Sequence, residues 1–214
     1  MSARRIATLA ALLAAGWLSG CGITPERPMR ATLYDFGVGA APASAGTAAS
    51  STQAAVVLAD IDAAGALDGS SVLYRLAYTD ANQLRPYALA RWSAPPPQLV
   101  RQRLREQLGR ERAVLNAGES ASLARNGGAS PRVLRIELEE FSHVFESATQ
   151  SHGLLRLRAT LFESRAEGES LLGQRAVVVR RPAASGDAPG GVRALASATD
   201  AAADELAQWL RQQP

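Results

Sequence analysis

The chain has 214 residues and is 47% apolar, which is globular rather than disordered or membrane-spanning and allows one domain with a well-buried core, or two at most. Its formal charge is +3, from 23 basic and 20 acidic side chains. Two of the basic residues, Arg4 and Arg5, lie in an N-terminal segment without acids, so residues 21–214 carry 21 against 20, or +1, and the charge makes no case for nucleic acid.

Arg4-Arg5 is a short basic start, and Ile6 to Leu18 is an apolar run of 13 residues. That length suits a signal peptide and falls short of the roughly 20 residues of a spanning helix. The run ends on Leu18-Ser19-Gly20-Cys21, which holds the only cysteine. Small residues before a thiol form a lipobox: the backbone can enter a processing enzyme, and the sulfur can carry diacylglycerol. Residues 1–20 therefore read as a signal peptide, 21–31 as a lipidated tether and 32–214 as the working domain. A lone cysteine excludes an intramolecular disulfide and fits acylation, with palmitate as the typical chain. Gly22 stands where aspartate tends to retain proteobacterial lipoproteins at the inner membrane. The expected localisation is therefore the outer membrane, lipid-anchored on the periplasmic face.

Beyond the tether, Leu33 to Val38 contains β-formers and reads as a strand. Residues 39–55 are almost all small and read as a loop. Ala55 to Ile61 is a buried strand, Leu67 to Ser70 a turn, and Ser71 to Tyr78 a third strand. Leu84 to Ala90 is a fourth, and Pro86 places it at an edge or a bulge. Pro95-Pro96-Pro97 opens a helix with Leu99, Val100, Leu104 and Leu108 on one stripe, and Gly109 ends it. Ala113 to Leu115 is a short strand, and 120–130 a loop or short helix. In Arg132 to Glu146 the apolar parity moves from Leu134, Ile136 and Leu138 to Phe141, His143 and Phe145, which predicts a β-bulge at Glu139-Glu140. Strands through Leu155–Leu161 and Leu171–Arg180, with Gly168 between them, complete a meander, and a helix over about 191–212 closes the chain. The expected class is α+β, a mostly antiparallel sheet with two main helices packed on one face.

Catalytic constellations do not emerge. His143 and His152 have no neighbouring metal-ligand spacing, and no nucleophile elbow or dinucleotide fingerprint is present. The expectation is a non-enzyme without cofactor, catalytic or metal residues. The notable segment is Leu73 to Pro97, with Tyr74, Tyr78, Tyr87 and Trp92 among Arg75, Arg85 and Arg91. Aromatics beside arginines suit an interface, and they equally suit packing between helix and sheet.

The run Leu67-Asp68-Gly69-Ser70-Ser71-Val72-Leu73-Tyr74-Arg75-Leu76, then Arg85-Pro86-Tyr87-Ala88-Leu89-Ala90-Arg91-Trp92, then Pro95-Pro96-Pro97-Gln98-Leu99-Val100 with Arg103-Leu104, resembles the ABC-type transport auxiliary lipoprotein family, including its PqiC-like outer-membrane members. The resemblance implies a domain like the N-terminal domain of TolB-like proteins. It also implies a role in an MCE-type lipid transport system, with an MCE-domain protein and an ABC permease and ATPase as partners, and in some relatives a homo-oligomeric ring. Tyr74, Arg75, Tyr87, Arg91 and Trp92 are the candidate partner-binding residues, and Cys21 the lipidation site. Two other readings remain open at this point: a lipid- or small-molecule-carrying lipoprotein, and a structural assembly factor for an outer-membrane machine.

Overall fold

A computed structural model describes residues 29–38, 53–120, 131–165 and 168–213. Cys21, the apolar run before it, most of the tether, the small-residue loop and 121–130 lie outside the described residues. From Ala31 onward the chain forms one compact unit.

The longest strands sit where the alternation is cleanest. The strand β6 (Arg132–Phe145) buries Leu134, Ile136 and Leu138, then Phe141, His143 and Phe145. Its register against β7 (Ser151–Arg165) slips between Leu138 and Glu140, so the predicted bulge is present. One extra residue there keeps both apolar sets on one face of the sheet. β8 (Gly168–Pro182) completes the antiparallel meander. The turn into β8 uses Gly168 at φ 127°, a conformation that disfavours any side chain.

The other edge of β6 is shared by two strands, and here the expectation needs correction. β2 (Val56–Ala63) runs parallel to the first half of β6, with Val56 opposite Arg132 and Ala63 opposite Leu138. A 3-10 turn at Gly65–Leu67 lifts the chain away, and β3 (Ser71–Leu76) rejoins the same edge further along, pairing Tyr74 with His143 and Leu76 with Phe145. β4 (Arg85–Trp92) returns antiparallel to β3, and β1 (Thr32–Tyr34) adds to it in parallel. β5 (Val114–Leu115) lies parallel to β2 on the far side. Among the described residues, four of the seven pairings are therefore parallel, and the sheet is mixed, not mostly antiparallel. Alternation reveals which face a side chain takes, but not the direction of a neighbour distant in sequence. Pro86 sits in the half of β4 that β1 does not reach, since β1 pairs only with Ala90 to Trp92, so its missing N–H breaks no ladder there.

After β3 comes a single helical turn, α1 (Ala77–Asp80). The two long helices are α2 (Pro96–Leu108) and α3 (Ala188–Arg211). Proline opens α2 without losing a helical hydrogen bond, and Gly109 closes it by donating to Arg105 O at 3.0 Å. The carboxylate of Asp187 caps α3, accepting from Gly190 N at 2.8 Å. Ala194, Ala198 and Ala202 let α3 approach β6, β7 and β8 closely, while Leu195, Leu206, Trp209 and Leu210 fill the core. α2 packs on β2 and beside α3, so both cover the same sheet face.

Candidate partner-binding face

The fold does not bring the five predicted side chains onto one surface; it divides them by depth. Trp92 is 1% exposed and packs against Phe36 and Phe141, with ring centroids 5.6 Å away in each case. It belongs to the core, enclosed by the Phe36 and Phe141 rings.

Tyr74 and Tyr87 are half-buried and stack at 4.6 Å. Around them lie Phe145, 6.2 Å from Tyr74, and His143, 4.4 Å from Phe145. The hydroxyl of Tyr87 is 2.9 Å from Nδ1 of His143. This cluster forms because Tyr74 and His143 are register partners on parallel strands, so both point to the helix-covered side. The first turn of α3 closes over it: a Cβ on Gly191 would stand 2.6 Å from His143 Cγ. Burial pushes the imidazole well down, to about 4, and His152 pushes the same way, against the opposite pull of Asp187. Burial pushes the Tyr87 phenol up, with the negative potential of Tyr74 and Asp187 adding to it. Both groups are neutral at pH 7.

Arg75 takes the opposite side of β3. Its guanidinium grips Glu140 through two bonds, Nε to Oε1 at 3.2 Å and Nη2 to Oε2 at 2.9 Å, while Ser142 Oγ donates to Oε1 at 2.6 Å. Its Nη1 also donates to the carbonyls of Ala81 and Asn82, which holds the turn after α1. Arg91 folds back on its own strand, where Nη1 donates to the Tyr87 and Ala90 carbonyls at 2.7 and 2.8 Å. The large apolar side chains that this segment exposes are Tyr78, at 52%, and Leu89, at 41%.

Sequence reasoning passed over the group that secures the entry to the domain. Arg103, on α2, is 8% exposed. Its Nη2 donates to the Phe36 carbonyl at 2.6 Å and to that of Gly37 at 3.3 Å, and its Nη1 to Asp200 on α3 at 3.1 Å. The guanidinium also lies 5.9 Å from the Phe36 ring centroid. One side chain thus fastens the segment that follows β1 to both long helices. An arginine on the buried stripe of an amphipathic helix was the available signal.

The family model of the ABC-type transport auxiliary lipoprotein component matches residues 34–207, from the last residue of β1 into the last turns of α3. The chain belongs to that family. Among solved structures, a Xanthomonas campestris protein is similar at 20% identity over 84% of this chain and 94% of its own, with a TM-score of 0.67. An uncharacterized protein aligns at 12% identity over 85% and 99%, with a TM-score of 0.60. Identities this low make these likenesses of fold. No curated protein matches the sequence.

Proposed function

We propose that this auxiliary lipoprotein is anchored through Cys21 to the outer membrane on its periplasmic face and docks an MCE-domain protein of an ABC lipid transport system, without catalysing a reaction. The observation that carries the reading is the order along the chain. A lipobox ends at Cys21, ten residues of tether follow, and the family match begins at Tyr34. Fully extended, those ten residues reach about 33–36 Å. Each buried acyl CH₂ contributes about 0.8 kcal/mol, so several long chains hold the domain at the membrane. Docking is favoured over catalysis because the polar groups of the aromatic segment are engaged internally: Arg75 by Glu140, Tyr87 by His143, Arg91 by backbone carbonyls.

The test has two arms. Cys21→Ala should leave the fold intact and move the protein from the outer-membrane fraction to the soluble periplasm; continued sedimentation with the outer membrane would refute the anchor. Crosslinked pull-down of the wild-type lipoprotein from envelopes should recover an MCE-domain protein or its permease. Recovery of neither would sink the docking reading and leave the anchor untouched.

A further inference from the structure

Beyond the end of α2 the backbone turns back on itself, with Arg112 N donating to Leu108 O at 3.2 Å. The turn carries the Arg112 side chain inward. The residue is 5% exposed, and its Nε and Nη2 are buried without a hydrogen-bond partner among the described residues. A guanidinium cannot shed its charge by losing a proton as a lysine can. A desolvated arginine with two unmade bonds is therefore a standing cost that an acceptor would remove.

Among the described residues, no neighbour provides one. Glu111 is the adjacent acid, and Arg211 holds it in a forked contact at 2.6 and 2.7 Å. Arg132 opens β6 opposite Val56; on its other side Val56 pairs with Val114, and its N–H donates to the Ala113 carbonyl at 3.0 Å. Arg112 and Arg132 therefore lie at the same end of the sheet. Burial, and then the charges of Arg211 and Arg132, lower the proton affinity of Arg112, and Glu111 opposes them. The groove beside Glu111 and Arg211 also holds Arg175, Asp204 and Glu205, with Glu205 paired to Arg175, so four guanidiniums against three carboxylates leave a formal +1 in this corner. The C-terminal ends of α2 and α3 add partial negative charge. A helix dipole softens the field but supplies no acceptor atom to Nε and Nη2.

We propose that Arg112 and Arg132 form a binding site for a phosphate group, with Arg211 keeping Glu111 occupied so that it does not repel the anion. A tetrahedral oxyanion can accept from two guanidiniums approaching from different directions, and its charge offsets the local excess. The same chemistry is offered by inorganic phosphate and by the headgroup of an anionic phospholipid. The site is independent of the docking face, since it sits at the C-terminal end of α3, while the aromatic cluster lies beneath its N-terminal turn.

Thermal unfolding of the full chain in a non-ionic detergent tests this. One probe is sodium phosphate against sodium chloride at matched ionic strength; the other is dihexanoyl phosphatidylglycerol against dihexanoyl glycerol. A rise in Tm with both probes supports a site for the phosphate group as such, a rise with the phospholipid alone a headgroup site, and a rise with phosphate alone a site for the free ion. Arg132→Gln, which alters a half-buried side chain, should weaken the apparent affinity about tenfold or more, and Arg112→Met should do the same. No rise with either probe, or a rise that both variants retain in full, would overturn the proposal.

Discussion

The hydroxyl of Tyr87 lies 2.9 Å from Nδ1 of His143, and Nε2 of the same ring is buried with no partner among the described residues. The imidazole is fully enclosed, pinned between two aromatic residues and the first turn of α3. That environment suits the neutral ring and opposes the imidazolium, which makes the domain sensitive to acid.

The sign follows from the direction of the shift. His143 is lowered from 6.5 to about 4, first by burial. The unfolded chain therefore binds a proton before the folded one does. The contribution of His143 is fully present above pH 6.5 and is lost as the pH falls from there to about 4. A shift of this size corresponds to about 3 kcal/mol. Burial also lowers His152, with Arg180 adding to it and Glu146 opposing, so it acts in the same direction. Urea unfolding at pH 7 and pH 4.5 should show a clear loss of stability in acid, and His143→Phe should remove much of that difference. An unchanged pH dependence in the variant would place the acid sensitivity elsewhere.

Gly191 is the counterpart of that enclosed ring. An added Cβ would meet His143 Cγ at 2.6 Å and Cβ at 2.9 Å, with the strand fixed on one side and the capped helix on the other. Gly191→Ala should destabilise by about 3 kcal/mol, despite alanine's better helix propensity. If the clash is with the ring, the cost should fall sharply in a His143→Ala background. A double-mutant cycle by denaturant unfolding measures this, and additive costs would point to backbone strain instead.

Residue patterns displayed one part of this fold and concealed another. The parity change between Leu138 and Phe141 was legible because the bulge must occur where two apolar sets need the same face. The ends of α2 were legible for a similar reason, since proline and glycine act on their own backbone. The parallel pairing of Tyr74 with His143 was not, because those residues are far apart in sequence and alternation does not encode strand direction. The burial of Trp92 follows from Phe36, just after β1, and Phe141, within β6, so an aromatic-rich segment read alone could not separate packing from recognition. Arg103 was hidden because its partners, Phe36 O and Asp200 Oδ1, lie on two other elements.

The Arg75–Glu140 pair supports the opposite face of the sheet. Both side chains are largely shielded, at 21% and 13% exposure, and the two bonds are well formed. Arg75→Ala should cost about 1–3 kcal/mol, because it leaves Glu140 with Ser142 and frees the turn after α1. The coupling between Arg75→Ala and Glu140→Ala should be near 1 kcal/mol and weakly salt-dependent, unlike that of the exposed Arg135–Glu169 pair. Unfolding of the cycle at low and high salt distinguishes the two.

Arg103 controls how firmly the N-terminal end of the domain is held. β1 has only three residues, all paired with β4, and Leu33 on it is 69% exposed, so the strand contributes little burial of its own. Its retention depends on the ladder, on Ser93 N donating to Tyr34 O at 2.7 Å, and on the Arg103 grip of the Phe36 and Gly37 carbonyls. Arg103→Met keeps much of the aliphatic bulk and removes every polar bond. Global stability should fall by about 2–3 kcal/mol, since Phe36 O loses its short charged donor and Asp200 is left across the helices with only the 3.4 Å bond from Gln107 Nε2. The local effect should be larger than the global one. Hydrogen exchange at the amide of Ser93 should accelerate more than at β7 amides, because β1 can then detach without unfolding the sheet. Equal acceleration at both would mean that β1 opens only with the whole domain, and that Arg103 stabilises the core without guarding the entry.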